Sequence, residues 1–206
     1  MKTVFWDFDG VILDSMKVRD YGFEKIFEKF SPEKVQKLIQ YHRENGGLSR
    51  YVKIKYFFNE ILGQDISESM VNQYANAFSL IMRRELTNPD NLIDETVKFI
   101  KNNYTKFNFH IVSGSDQDEL RFLCEELNLS HFFLSIHGSP TPKTQLVGDI
   151  MRQKEYNLST SCLIGDSKND YDAAQSNGIA FYGYNNEKIK DLGVLYIQTF
   201  EEFTLS

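Results

Sequence analysis

Apolar residues recur along this chain with two different periods, and the change between them divides the sequence. Residues 3–6 form a short apolar run that is typical of a buried strand. From Ser15 to about Leu86 the apolar residues are spaced three or four apart, as on one face of a helix, and Ser31-Pro32-Glu33 is a helix start signal. The pattern predicts a bundle of helices inserted after the first strand.

After Asn88-Pro89-Asp90 the pattern alternates between strands and helices. The predicted strands are 107–112, 132–136, 161–164, 180–182 and an edge strand at 194–197, and the predicted helices are 92–101, 117–127, 143–156 and 171–176. Such alternation implies right-handed crossovers and a parallel sheet covered by helices on both faces. We therefore predict an α/β fold, a Rossmann-like doubly wound parallel sheet built from residues 1–15 and 88–206, with a small α-helical domain inserted at 16–87.

Composition and charge narrow the class of protein. A length of 206 residues suits one compact domain with a modest insertion. The net charge of −6 argues against a nucleic-acid or acidic-membrane partner. The N-terminus leads straight into a strand without a targeting pattern, so we expect a cytoplasmic protein. The cysteines and histidines share no metal-ligand spacing, so we interpret them as structural residues.

Two carboxylates, Asp7 and Asp9, follow the first strand, with Gly10 after them. Side chains alternate faces along a strand, so both carboxylates leave on the same side and lie close together. A pair of this kind holds a cation, shares a proton, or divides nucleophilic and acid–base roles.

Other polar groups also follow predicted strands, and ligands of such sheets bind beyond the carboxyl ends of the strands. Ser113 and Gly114 follow the second strand, Lys143 the third, and Asp166 and Asp170 the fourth. Taken singly, Ser113 is better interpreted as a helix N-cap and Lys143 as a solvated surface lysine, and it is their positions in the pattern that favour a role in the site. Together they place carboxylates, a hydroxyl and an ammonium group at one edge of the sheet.

This order of motifs resembles the haloacid dehalogenase-like hydrolase superfamily, whose pattern is DxD, then Ser or Thr, then Lys, then GDxxxD. The resemblance covers residues 1–15 and 88 to about 183, and the helical block falls where that family inserts its cap domain. The run Asp9-Gly10-Val11-Ile12-Leu13-Asp14-Ser15 is similar to the branch of phosphoglycolate phosphatases and β-phosphoglucomutases. Asn88-Pro89-Asp90-Asn91 replaces the family's usual proline-glycine signal at re-entry into the core, which leaves that boundary open by several residues.

The resemblance implies catalytic roles at the strand ends. Asp7 is the expected nucleophile that forms an aspartyl-phosphate, and Asp9 is the expected general acid and later base. Ser113, Gly114 and Lys143 are the expected contacts of the phosphoryl oxygens.

The resemblance also implies a cofactor. The expected ligands of Mg²⁺ are Asp7, the backbone carbonyl of Asp9, and Asp166. Asp170 is expected to support the metal site from behind or to position Lys143.

A glycine-rich turn flanked by cationic residues lies within the helical block and resembles a substrate-contacting segment of related sugar-phosphate enzymes. Its residues are Arg43, Gly47, Arg50 and Lys53. We expect Arg50 or Lys53 to contact the leaving group or a second anionic group. A simple connector between two helices is the alternative.

The function implied by the resemblance is Mg²⁺-dependent hydrolysis of a small phosphorylated metabolite by a monomer or weak homodimer. A mutase of the β-phosphoglucomutase type differs only in the acceptor of the phosphoryl group. A dehalogenase is disfavoured because that branch lacks the second acid. A non-catalytic binding protein would be expected to have lost a member of the motif set.

Overall fold

The computed structural model describes residues 2–205, so the outermost residues of the predicted core, Met1 and Ser206, lie outside it. Its strands are β1 (Thr3–Trp6), β2 (Asn108–Asp116), β3 (Ser135–Ser139), β4 (Ser161–Gly165), β5 (Ala180–Tyr184) and β6 (Leu195–Ile197). They form one parallel sheet in the order β3-β2-β1-β4-β5-β6. This confirms the predicted α/β fold.

Strand β1 lies inside the sheet, and all four of its residues are buried. Thr3 is in register with Asn108 of β2 on one side and with Ser161 of β4 on the other. The order of the strands reverses at β1, and in such sheets the reversal opens a crevice at the carboxyl ends of the strands. The residues that follow β1, β2 and β4 therefore converge on one place.

Eight α-helices accompany the sheet in the part of the chain that the structure describes. They are α1 (Met16–Ile26), α2 (Pro32–Glu44), α3 (Arg50–Tyr56), α4 (Glu68–Glu85), α5 (Asp94–Asn103), α6 (Gln117–Glu126), α7 (Lys143–Gln153) and α8 (Lys168–Ser176). None of these helices combines the length and the apolar character needed to cross a membrane. We refer to residues 16–87, which contain α1 to α4, as the cap.

The cap has an aromatic interior that explains why its helices pack together. Phe27, which follows the last residue of α1, stacks on Phe57 with ring centroids 4.2 Å apart, and the ring centroid of Phe23 of α1 lies 4.5 Å from that of Phe78 of α4. Aromatic pairs at these separations add to the free energy of burial. The four rings are buried, so the cap holds its own shape above the sheet.

The two connections between the cap and the sheet run side by side. Asp14 N donates to the Asn91 carbonyl at 2.7 Å, and Ile93 N donates to the Ile12 carbonyl at 2.9 Å. The backbone that leaves β1 is thus tied to the backbone that returns from α4. The exact end of the cap near Asn88 remains a prediction.

Several predicted boundaries shift in the structure. Strand β3 begins at Ser135, because Ser130–Phe132 forms a 3₁₀ turn and Leu134 is 63 % exposed. Helix α8 begins at Lys168, since Ser167 caps it reciprocally with Asp170. The apolar face that follows Tyr51 changes from α3 to a π-helical segment, Phe57–Leu62.

Candidate active site

Asp7 lies directly after β1 and is held in place by donors on one of its oxygens. Its Oδ1 lies 2.8 Å from Lys143 Nζ and accepts from Phe8 N at 2.8 Å. Asp7 is 3 % exposed. Burial, and next the Asp170 carboxylate, raise the pKa of Asp7 to about 7 against the pull of Lys143.

Lys143 is the first residue of α7 and lies between two carboxylates. Its ammonium donates to Asp170 Oδ1 as well as lying against Asp7. Burial works to lower the pKa of Lys143, but Asp170 and Asp7 outweigh it and raise that pKa above its ordinary value. The other oxygen of Asp170, Oδ2, accepts from Ser167 N at 3.0 Å. Asp170 therefore contacts Lys143 directly, in agreement with one of the two roles expected for it.

Asp166 completes an acidic group with Asp7 and Asp170, each offering an oxygen within 4.8 Å of the others. Burial, and then Asp7, raise the pKa of Asp166 well above its ordinary value. A Cβ on Gly10 would lie 2.0 Å from Asp166 Oδ2, so glycine leaves the room this carboxylate occupies. Buried carboxylates that repel each other suit a divalent cation, and oxygen ligands suit Mg²⁺.

Asp9 is held apart from that acidic group by three side chains. Its Oδ1 accepts from Ser15 Oγ at 2.5 Å and from Arg19 Nε at 2.7 Å, and its Oδ2 accepts from Ser115 Oγ at 2.5 Å. Burial acts to raise the pKa of Asp9, but Arg19 and the hydroxyl donors prevail and lower it. As it stands here, Asp9 is a deprotonated carboxylate with both oxygens engaged by donors.

A cavity of about 30 Å³ lies between the cap and the carboxyl ends of the strands, which is room for one or two water molecules. The sheet side is lined by Asp7, Asp9, Ser113, Gly114, Ser115 and Asp166, and the cap side includes Arg19, His42, Gly46, Gly47, Arg50 and Lys53. Ser113 is buried, and its Oγ accepts from Ser115 N at 3.0 Å. The structure thus brings most of the predicted site residues together around one cavity.

The glycine-rich turn of the cap touches the end of β2 and the start of α8. Gly47 O accepts from Asn169 Nδ2 at 2.8 Å, and a Cβ on Gly114 would lie 2.4 Å from that same oxygen. A Cβ on Gly47 would lie 2.6 Å from Ser167 Oγ. Such close approach needs glycine at both positions, so the turn closes the cavity through backbone contacts.

Arg50 points into the cavity wall but is already paired. Its two terminal nitrogens donate to the two oxygens of Glu119, at 2.5 and 2.6 Å. Its guanidinium carbon, Cζ, lies 4.6 Å from the centroid of the Phe78 ring. Glu119 comes from α6 of the core and is fully buried. Arg19 Nη1 also lies 3.3 Å from Glu119, so one core carboxylate holds two cap arginines.

Lys53 differs from the arginines because no carboxylate lies within 4 Å of it among residues 2–205. Its Nζ contacts His42 Nδ1 at 2.8 Å and donates to Gly46 O at 3.1 Å, and the residue is 2 % exposed. Burial, and next Arg19, lower the pKa of Lys53 to about 7. Burial, with Lys53 next, lowers the pKa of His42 to about 2, so His42 is neutral.

Three predicted site residues do not line the cavity: Lys143 and Asp170 lie behind Asp7, whereas Arg43 lies away from the site. The Arg43 side chain is 62 % exposed and pairs with Asp20 at 2.8 Å. Conversely, sequence reasoning did not single out Arg19, Ser115 or Glu119. The signal for Glu119 was an acidic residue on the apolar face of a helix, where burial demands a partner.

The fold is that of an α/β protein with a helical insertion. Its acidic group lies where the strand order reverses, beside a cavity between the core and the cap. The model of the haloacid dehalogenase-like hydrolase family matches residues 4–184. The chain therefore belongs to this family, which confirms the resemblance. A search of curated proteins finds no match.

Solved structures show the same fold. A predicted phosphatase from Clostridium acetobutylicum is 15 % identical with a TM-score of 0.75, covering 96 % of this chain and 94 % of its own. A β-phosphoglucomutase from Clostridium difficile is 15 % identical with a TM-score of 0.74, covering 99 % and 93 %. A predicted phosphoglycolate phosphatase from Haemophilus somnus is 14 % identical with a TM-score of 0.66, covering 98 % and 90 %.

The acidic group generates a prediction about metal binding and stability. We expect Mg²⁺ to raise the free energy of unfolding, by about 2.7 kcal/mol at a hundredfold excess over its dissociation constant. Asp166→Asn should abolish this gain while raising the stability of the metal-free protein, because one of the repelled charges is gone. Thermal unfolding with and without Mg²⁺ measures both effects, with Asp149→Asn on the exposed face of α7 as control.

The sign of the pH dependence follows from Asp7. Its pKa is raised from 3.8 to about 7 in the folded chain, so without metal its contribution to stability falls as pH rises through that interval. Metal needs the carboxylate form, so stabilisation by Mg²⁺ should grow between about pH 6 and pH 8. A gain from Mg²⁺ that shrinks over this range contradicts the assignment.

Proposed function

We propose that this protein is a Mg²⁺-dependent phosphatase that hydrolyses a small phosphorylated metabolite through an aspartyl-phosphate on Asp7. The observation that carries the proposal is the position of Asp7. It is a buried carboxylate held against Lys143, next to Asp166, with Asp9 on the same cavity. Membership of a hydrolase family and the likeness to phosphatase structures support it.

In the first half-reaction, an Asp7 oxygen attacks phosphorus. The new oxygen–phosphorus bond forms as the bond to the leaving oxygen breaks, and Asp9 donates a proton to that oxygen. The phosphoryl group of the bound substrate places negative charge beside Asp9 and raises the pKa of Asp9. Asp9 is therefore protonated before the bond to the leaving oxygen breaks. Ser113, by its hydroxyl, and Lys143, by the ammonium group that lies against Asp7, stabilise the phosphoryl oxygens.

In the second half-reaction, Asp9 accepts a proton from water. The hydroxide so formed attacks phosphorus, the acyl-phosphate bond breaks, and Asp7 is regenerated with release of inorganic phosphate. Arg19, Ser15 and Ser115 favour this base form, because they all donate to the Asp9 carboxylate. Asp9 thus acts as the acid, in its protonated form, in the first half-reaction and as the base, in its carboxylate form, in the second.

The cofactor that fits this donor set is Mg²⁺, held by Asp7, Asp166 and the Asp9 carbonyl. When bound, it supplies positive charge that neutralises the carboxylates and the phosphoryl oxygens. The cap excludes water from the site, since the Gly47 turn packs against Gly114 of β2 and Asn169 of α8.

Hydrolysis is favoured over the mutase alternative by the pairing of the cap cations. A mutase acting on a sugar phosphate must hold a second phosphate away from Asp7. The cavity arginine placed to do so, Arg50, is occupied by Glu119. Lys53 remains as the cap residue available to a single polar group of the leaving alcohol.

Asp7→Asn and Asp9→Asn should both reduce turnover by on the order of a thousandfold or more, but at different steps. Without the nucleophile no phosphoenzyme forms. Without the acid–base residue an intermediate forms slowly and then persists, because water is no longer activated. Rapid-quench labelling distinguishes the two, and phosphate on Asp7→Asn at the wild-type rate would refute the assigned nucleophile.

Gly47→Ala should lower kcat/KM by about tenfold to a hundredfold, because the added Cβ holds the cap away from the Ser167 loop. Gly46→Ala is the matched control, since its Cβ would meet nothing closer than Met16 Cε at 3.9 Å. Hydrolysis of p-nitrophenyl phosphate measures both. Equal losses in the two variants would show that closure at Gly47 is not required.

A further inference from the structure

Glu119 is a buried carboxylate of the core that the proposed chemistry does not use. It lies on the inward face of α6 and reaches across to the cap, where it binds Arg50 with both oxygens. A bidentate pair of this kind is among the strongest hydrogen-bonded ion pairs in proteins. Because Glu119 is fully buried, neither solvent nor salt competes for this contact.

The pair decides which cations of the cavity are free to bind a ligand. Arg50 gives both terminal nitrogens to Glu119, and one of them also donates to Ser79 Oγ at 2.6 Å. Arg19 divides its guanidinium among Asp9, Ser115 and Glu119. Of the cap cations that line the cavity within residues 2–205, Lys53 is left without a carboxylate partner.

A guanidinium in a cavity wall is a natural ligand for a phosphate group, because its planar donors match phosphate oxygens. A phosphate that takes both terminal nitrogens of Arg50 must displace Glu119 from them, and the displaced carboxylate would remain buried beside the incoming dianion. Both the lost pair and the like-charge repulsion oppose such a ligand.

We propose that Glu119 is a specificity-determining residue that restricts the site to substrates with a single phosphate by neutralising Arg50. The inference rests on the proposed function and extends it to the class of substrate. Leaving groups that carry a second phosphate are rejected, and leaving groups that are neutral or carry one compact polar group facing Lys53 are accepted.

The test is a gain of function, so a merely damaged protein cannot imitate it. The probes are short alkanediols of increasing chain length carrying one phosphate or two, assayed with Mg²⁺ on the full chain. Glu119→Gln should raise the ratio of kcat/KM for bisphosphate over monophosphate by about tenfold to a hundredfold, as expected for freeing one charge-assisted contact. Asp118→Asn, an exposed neighbour on α6, is the matched control and should keep the wild-type ratio.

Two further variants identify the cause. Glu119→Gln combined with Arg50→Gln should return the ratio to its wild-type value, and Glu119→Asp should keep it, because the negative charge remains. Arg50→Gln alone should leave the ratio within about twofold of wild type, because Arg50 is already neutralised. A tenfold fall in that variant would show that Arg50 binds the second phosphate in the wild-type protein and would overturn the proposal, even if Glu119→Gln fails to fold.

Failure of the inference is distinguishable from failure of the proposed function. If p-nitrophenyl phosphate and the monophosphates are hydrolysed but Glu119→Gln leaves the ratio unchanged, the specificity assignment falls and the phosphatase stands. If no ester is hydrolysed, the phosphatase falls, and the dissociation constants of the same alkanediol phosphates, measured by calorimetry, still give the ratio that tests Glu119.

Discussion

The site depends on the crowding of two buried carboxylates, Asp7 and Asp170, and the half-buried Asp166 around a single ammonium group, Lys143. Burial and the neighbouring negative charges raise the pKa values of Asp7 and Asp166, and Lys143 offsets only part of this effect. The remaining negative charge is what a divalent cation and a phosphoryl group with its own counter-charge can share. The crowding is imposed by the fold, because neighbouring parallel strands end at the same edge.

The cap is joined to this edge by polar contacts of a different kind. Glu119 of the core binds Arg50 and Arg19 of the cap, and Arg19 in turn binds Asp9. The position of the proposed acid–base residue is therefore coupled to the closure of the cap. A buried ion pair between core and cap also fixes the relative orientation of the two, since breaking it leaves charges without partners.

The sequence was sufficient for residues whose position depends on strand alternation and strand ends. Asp7, Ser113, Lys143 and Asp166 follow from the rule that parallel strands present their carboxyl ends together. Lys143 lies 2.8 Å from Asp7, at the sheet edge where its position after the third predicted strand places it.

The positions of the cap residues were harder to predict, because they depend on which faces α1 to α3 turn towards the core. Neighbouring residues on a helix point about 100° apart, so His42 faces the cavity while Arg43 faces solvent. The partner of Arg50 is 69 positions away in the chain, and no local pattern indicates such a contact. Charged residues on apolar helix faces, such as Glu119 beside Leu120, were the available signal.

The central claim is that the fold holds Asp7 in a buried acidic group that a divalent cation relieves. The most direct measurement is a carbon-detected NMR titration of the chain labelled with ¹³C at the aspartate carboxyl carbons, with Asp7 assigned from the Asp7→Asn spectrum. The account predicts that the Asp7 carboxyl titrates near a pKa of about 7 without metal, and that Mg²⁺ moves this midpoint to lower pH. A metal-free midpoint near 3.8, or one that Mg²⁺ leaves unchanged, would contradict it.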